Sequence, residues 1–305
     1  MKRILIIKLG ALGDFIQATA AFADIRAHHP DAHITLMTTR GLLNLAADSP
    51  WIDSIMVDEK PKLWQLTALR RLRHKLQGFD LIYDLQTSQR TRWYFELAGR
   101  PAWCGHAPGC LYRQTRADRN HLHTLERIAD QLKQAGVPST HTPDISYARH
   151  DATDLLQTHK LRDGKFVVLV PGGSAHRPEK RWPLFPTLIT QLHTQGLQTV
   201  LVGGRDEKDL LAQIATQTGA INLGGQTSLN QLVDIFMRAK AAIGNDTGPM
   251  HIATASGCPG VVLFGAGSNP TLCAPQAPHM HILHQPRIAD ISVEDVLAAL
   301  GFIKG

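Results

Sequence analysis

The chain has 305 residues, enough for one large domain or two of about 150. Hydrophobic residues make up 43% and charged residues 19%, which excludes disorder, a collagenous repeat and a small disulfide scaffold. Lysine plus arginine exceed aspartate plus glutamate by 32 to 26, a net charge of +6, and that surplus favours an anionic partner: nucleic acid, anionic lipid or a phosphorylated substrate.

The apolar run Ile4-Leu5-Ile6-Ile7 is interrupted by Lys8, too early for a signal-peptide core, and no apolar run approaches the ~20 residues that span a bilayer. Cytosolic residence is therefore expected. The four cysteines are sparse and include no C-x-x-C pair, in keeping with a reducing compartment. Cys104, His106 and Cys110 resemble half a zinc site, but a second pair at ligand spacing is missing, so metal: none is the expectation.

Taken in chain order, the pattern predicts a strand at 3–9 and a helix at 14–28, where Phe15, Ala18, Ala21, Phe22 and Ile25 recur at helical spacing. Strands follow at 33–37, 54–57, 81–84 and 102–105, with helices near 63–76 and 123–135. After a polar stretch at 138–164 the same grammar restarts. Strands are predicted at 166–170, 199–202, 241–244 and 261–264, and helices at 183–195, 206–218, 228–238, 248–256 and 293–300. Such alternation implies βαβ crossovers and parallel sheets covered on both faces. The fold class is thus α/β, with two doubly wound, Rossmann-like domains at 1–150 and 151–305 facing across a cleft. Ligands bind such sheets at the carboxyl ends of the strands.

Three loops at predicted strand ends carry chemistry. In Lys8-Leu9-Gly10-Ala11-Leu12-Gly13-Asp14, the glycines let a ligand approach the backbone and the helix amides. Asp14 reads either as an N-cap or as a general base for a substrate hydroxyl. The stretch lacks the acidic residue expected after the second strand, so it is a poor nicotinamide fingerprint. In the loop from Pro171 to Pro183, Ser174, Lys180 and Arg181 read as phosphate contacts or as a polar, basic surface loop. In Asn245-Asp246-Thr247-Gly248-Pro249-Met250-His251, a helix start offers free amides to a diphosphate, although Asp246 and Thr247 also suit simple capping.

Together these motifs resemble the bacterial lipopolysaccharide heptosyltransferases of glycosyltransferase family nine. The resemblance rests on Gly10-Ala11-Leu12-Gly13-Asp14, Lys180-Arg181-Trp182-Pro183 and Asp246-Thr247-Gly248-Pro249-Met250-His251, in that order along the chain. It implies the GT-B fold and inverting transfer of L-glycero-D-manno-heptose from its ADP donor to the lipid A–Kdo inner core. By this resemblance Asp14 is the base and Lys180 stabilises the leaving diphosphate. Thr247, Gly248, Pro249 and His251 hold the phosphates, Asp246 braces that loop, Glu207 lies at the nucleoside, and Gly13 is a further substrate contact. No cofactor and no obligatory metal are implied, because lysine, helix amides and histidine can carry the leaving-group charge. Arg90 and Arg92 are candidate contacts for an anionic glycolipid acceptor at the inner leaflet, where the basic first half would attach by charge. Nucleic acid is not favoured, since aromatics are only 6% and no RNA-binding signature appears. The alternatives are a same-fold transferase with another nucleotide sugar or a protein acceptor, and a non-catalytic nucleotide-sugar-binding module.

Overall fold

In the computed structural model, residues 1–62, 64–173 and 178–301 are described. The chain splits into two compact units, Met1–Tyr147 and Ala148–Gly305, where the sequence pattern places the division after residue 150. Ser174, one of the expected phosphate contacts, lies outside the described residues.

The first unit runs β1 (Arg3–Ile7), α1 (Leu12–His28), β2 (His33–Thr38), α2 (Leu43–Ala47), β3 (Ser54–Val57), α3 (Leu66–Leu76), β4 (Leu81–Asp84), α4 (Gln89–Leu97), β5 (Trp103–Gly105), β6 (Tyr112–Arg113) and α5 (Thr124–Gln134). Its strands form one parallel sheet in the order β3-β2-β1-β4-β5-β6. The second unit runs α6 (Thr153–Thr158), β7 (Phe166–Val170), α7 (Phe185–Thr194), β8 (Gln198–Leu201), α8 (Lys208–Thr218), β9 (Ile221–Asn222), α9 (Leu229–Arg238), β10 (Ala241–Asn245), α10 (Gly248–Ala255), β11 (Gly260–Phe264), α11 (Pro270–Cys273), β12 (Met280–His284) and α12 (Val293–Ala299). Its order is β12-β11-β10-β7-β8-β9, the same winding as the first sheet. Each sheet therefore has its switch point between its first and fourth strands, and the loops that follow β1, β4, β7 and β10 meet there in pairs.

The central strands are apolar because helices cover both faces. Phe166–Val170 is buried at every position, as is Gly260–Phe264, which is the run expected of a doubly covered parallel strand rather than an alternating one. One side of the first sheet packs Leu5, Ile7 and Ile82 against Leu72 and Leu76 of α3 and Tyr94 and Phe95 of α4. In the second unit Val167, Leu169 and Leu201 meet Phe185, Leu188 and Ile189 of α7 and Leu211 of α8. Fully burying each such side chain is worth about 1.5–3 kcal/mol, so these faces hold the loop-bearing strand ends rigidly.

The expected elements need several corrections. α7 starts at Phe185 rather than Pro183, because Leu184 is the N-cap and Pro186 supplies the proline of the first turn. α8 starts at Lys208 rather than 206, after a 3-10 turn Arg205–Glu207. β10 continues to Asn245, one residue past the expected end, and this extension matters at the site.

Candidate active site

The first loop leaves β1 through Leu9 and Gly10. Gly10 has φ +130°, a conformation that side chains rarely tolerate, although an added Cβ would meet nothing within 4 Å; backbone geometry, not space, selects glycine here. The loop is tied to the one after β4, since Leu9 N–H donates to Gln86 Oε1 at 2.9 Å. Helix α1 then begins with Ala11 as N-cap and no side-chain cap, so the capping reading of Asp14 is wrong: Asp14 lies within the first turn, beyond Gly13. It is half-buried there, beside the amino end of the helix.

Behind it lies a buried pair that the motif reading passed over. Lys8 is buried and donates from Nζ to Leu85 O at 3.2 Å. Burial pulls its ammonium pKa down, opposed by the carboxylates of Asp14 and Asp84. Asp84, at the end of β4, is pushed up to about 6 by burial, against the stabilising donors Thr87 N–H, the Thr91 side chain and Gln86 N–H. Lys8 is therefore tied to the backbone just past β4, within the field of both carboxylates.

A cleft of about 450 Å3 opens at that strand end, lined among others by Asp84, Arg92, His106, Arg113 and Arg119. Arg92 is among its lining residues and Arg90 is not: Arg90 Nη1 donates to Tyr94 Oη at 3.4 Å, and Tyr94 in turn donates to Asp58. Arg119 belongs to none of the three motifs. It is 8% exposed, with Nε donating to Gln114 Oε1 at 2.8 Å and Nη2 to Thr87 Oγ1 at 3.0 Å. Its hydrogen-bond partners are neutral, and burial pulls its pKa down. A cation held in place this way can pair with an incoming anion without further ordering.

In the second unit the end of β10 organises the site. Asn245 is fully buried and donates from Nδ2 to Pro171 O at 2.8 Å and Gly172 O at 2.9 Å, while its Oδ1 accepts from Trp182 N–H at 3.1 Å. One side chain thus pins both ends of the loop after β7. Trp182 is anchored further by its indole N–H, which donates to Ile291 O at 2.9 Å. So held, Lys180 donates from Nζ to Asp246 Oδ2 at 3.0 Å, and His251 Nε2 stands 3.9 Å from Asp246 Oδ1. Thr247 is the N-cap of α10, but its hydroxyl donates to Asn245 O at 3.2 Å instead of capping the helix. The N-cap side chain thus leaves the start of α10 uncapped beside a lysine and a histidine; of the first-turn residues Pro249 has no N–H and Met250 N–H returns to Thr247 O at 3.1 Å, so Gly248 offers the amide.

Close packing explains two glycines. A Cβ at Gly244 would sit 2.6 Å from Val170 Cβ, so β10 could not approach β7, and one at Gly267 would sit 2.7 Å from Lys180 Cγ. Glu207 accepts from Gly204 N–H at 2.8 Å and lies against Gly172 and Gly203, at the ends of β7 and β8. The structure therefore gathers Lys180, Glu207, Asp246, Thr247, Gly248, Pro249 and His251 along one edge of the second sheet. Arg181 Nη2 donates to Gly173 O at 3.4 Å, and its side chain lines a groove with Phe185 and Leu210. Among the described residues no group of three or more His, Cys, Asp or Glu side chains is arranged to hold a metal ion.

Residues 69–296 match the profile of glycosyltransferase family 9 (heptosyltransferase). The chain belongs to glycosyltransferase family 9. It is thus a glycosyltransferase, and its paired Rossmann-like units are the GT-B fold of the family. A lipooligosaccharide heptosyltransferase 2 from Haemophilus ducreyi is 26% identical over 87% of this chain and 84% of its own length. The lipopolysaccharide heptosyltransferase 2 of Escherichia coli K12 is 26% identical over 87% and 83%. Among solved structures, a family 9 glycosyl transferase from Veillonella parvula superposes with TM-score 0.88 at 25% identity, over 99% of this chain and 96% of that one.

Proposed function

We propose that this enzyme moves heptose from ADP-L-glycero-D-manno-heptose to the inner core of lipopolysaccharide, with inversion at the anomeric carbon and a Kdo-bearing lipid A as acceptor. The observation that carries this reading is the uncapped start of α10 with Lys180 and His251 on either side of Asp246, a cradle for a nucleotide diphosphate. Support for the sugar comes from the relatives, which are lipopolysaccharide and lipooligosaccharide heptosyltransferases. An E. coli heptosyltransferase solved with ADP-2-deoxy-2-fluoro heptose shares the fold, with TM-score 0.77 at 18% identity over 98% of this chain and 99% of that one.

In this mechanism Asp14 accepts the proton of the attacking acceptor hydroxyl as the new glycosidic bond forms. The bond from the anomeric carbon to the diphosphate oxygen breaks, and its electron pair stays on ADP. Lys180, the Gly248 amide and His251 carry that charge, so no cofactor and no divalent metal takes part. Asp246 fixes the lysine and the histidine, and Glu207 meets the nucleoside. Arg92, Arg113 and Arg119 hold the acceptor's carboxylate or phosphate groups. Such an acceptor is lipid-borne and the enzyme works at the cytoplasmic face of the inner membrane; no described helix is long and apolar enough to cross a membrane.

Thermal unfolding with ADP, UDP and GDP, each with and without magnesium, tests the donor assignment. A ligand at a hundredfold over its Kd adds about 2.7 kcal/mol of stability. Selective stabilisation by ADP without magnesium is expected. A UDP or GDP preference would overturn heptose as the donor sugar.

A further inference from the structure

The cleft of the first unit hangs on a side chain that the transfer scheme leaves out. Gln114 follows β6 directly and is fully buried. Its backbone N–H donates to Gly105 O at 2.9 Å, which extends the pairing of β6 with β5. Its Nε2 donates to Arg127 O at 2.9 Å and Asp130 Oδ2 at 2.7 Å, both on α5, and its Oε1 accepts from Arg119 Nε at 2.8 Å. The carbonyl and the carboxylate only accept and the guanidinium only donates, so the amide fits in one orientation. The Gln114 carbonyl stands 3.1 Å from His106 Nδ1, and a carbonyl cannot donate, so that ring nitrogen carries a proton. Arg119 and His106 both line the cleft, and both are oriented by a residue that does not line it.

The placement of charge is as specific as the geometry. Asp130 bonds the Gln114 amide and not Arg119, whose own partners Gln114, Asn120 and Thr87 are neutral. Asp84, Asp130 and Arg127 reach Arg119 only through their fields. A glutamate at position 114 would pair with the guanidinium and cancel it. The neutral amide keeps the same hydrogen bond and leaves the charge to the cleft. A partly desolvated, uncancelled cation favours a carboxylate or phosphate oxygen over a sugar hydroxyl, because water screens their attraction less there.

We infer that Gln114 is the positioning residue of this cleft: it orients Arg119 and His106 and keeps Arg119 uncancelled, so that the cleft selects an acceptor bearing a carboxylate or phosphate. This deepens the acceptor reading above and rests on it only for the transfer arm of the test. The decisive variant exchanges two partners, Gln114→Glu with Asp130→Asn. Net charge is unchanged and an amide still faces a carboxylate across the pair, so the exchange moves one negative charge from α5 onto Arg119. The full chain is melted in inorganic phosphate and in sodium chloride of equal ionic strength. Phosphate should raise the midpoint of wild type more than that of the exchange variant or of Arg119→Met. Adding the exchange to Arg119→Met should change the phosphate response no further, since Gln114 acts through that arginine. In transfer assays the exchange should raise acceptor KM about tenfold or more while kcat and donor KM hold. Gln114→Met serves where the exchange variant does not fold. It adds no charge but frees Asp130 to take Arg119, and it should raise acceptor KM only when Arg119 is present. A phosphate response that follows the variants upholds the inference even where no heptose is transferred. An exchange variant that melts like wild type and keeps its phosphate response and acceptor KM would overturn it. So would a wild type that phosphate stabilises no more than Arg119→Met, or a Gln114→Met effect of equal size with and without Arg119.

Discussion

Replacing Asn245 by alanine would remove the side chain that ties the loop after β7 to the end of β10. Three backbone groups lose their partner: the carbonyls of Pro171 and Gly172 and the amide of Trp182, all on buried residues. A buried polar group left unsatisfied costs about 1–3 kcal/mol, so three give about 3–6 kcal/mol once partial relaxation is allowed. For a unit of this size each kcal/mol lowers the melting point by about 2–4 °C, which predicts a fall of at least about 6 °C. Asn245→Asp should be worse than alanine, because a carboxylate would face two carbonyl oxygens in a buried site. Trp182 is the sole tryptophan after residue 147, so its fluorescence follows unfolding of the second unit. ADP should stabilise both variants less than wild type, because the loop that presents Lys180 has lost its anchor. A fall under about 2 °C with a normal ADP response would refute the argument.

Three further outcomes follow from the geometry. Lys180→Ala should lower kcat for transfer about 10²–10³-fold, as expected for loss of one preorganised charge partner, with little change in melting point. Separating the two arginines of α4, Arg92→Glu should raise the acceptor KM about tenfold or more while Arg90→Glu stays within about twofold; Arg119→Met should raise it too, and donor KM should hold in all three. The third outcome concerns Asp84, whose folded pKa of about 6 lies above its unfolded value, so the native state holds the proton more tightly. Its contribution is most favourable below about pH 4 and is lost as pH rises through about 6, a change of up to about 3 kcal/mol. Asp84→Asn keeps the Oδ1 that accepts from Gln86 and Thr87 but has no proton to lose. Urea titrations should therefore show the variant gaining on wild type between pH 4 and 6 and running parallel to it above; a constant gap would contradict the assignment.

The parallel strands were legible because burial on both faces leaves a run such as Phe166–Val170 without polar interruption. Helix α4 was not, since its residues QRTRWYFEL are mostly polar or aromatic and its capping box pairs Ser88 with Thr91 rather than with glutamate or glutamine. Strand β12 escaped as well: it is a half-exposed edge strand with histidines at two of its five positions. At the site, motif spacing pointed to Lys180, Asp246 and His251 because each belongs to a contiguous signature at a strand end. Asn245 stood inside that signature unread, because its partners Pro171, Gly172 and Trp182 are distant in sequence and meet it only through the pairing of β10 with β7. Arg119 carried no local signal beyond charge. What distinguishes it from Arg116 is burial against Gln114 and Thr87, whereas Arg116 spends its charge on exposed Asp118.

The account stands most directly on a transfer assay with ADP-heptose and a heptose-free Kdo–lipid A acceptor, read by mass spectrometry of the acceptor. Wild type should add one heptose residue and release ADP in the presence of a chelator. Asp14→Asn should add none while ADP still raises its melting point. An acceptor that gains no heptose from wild type, or an Asp14→Asn enzyme that transfers at the wild-type rate, would contradict it.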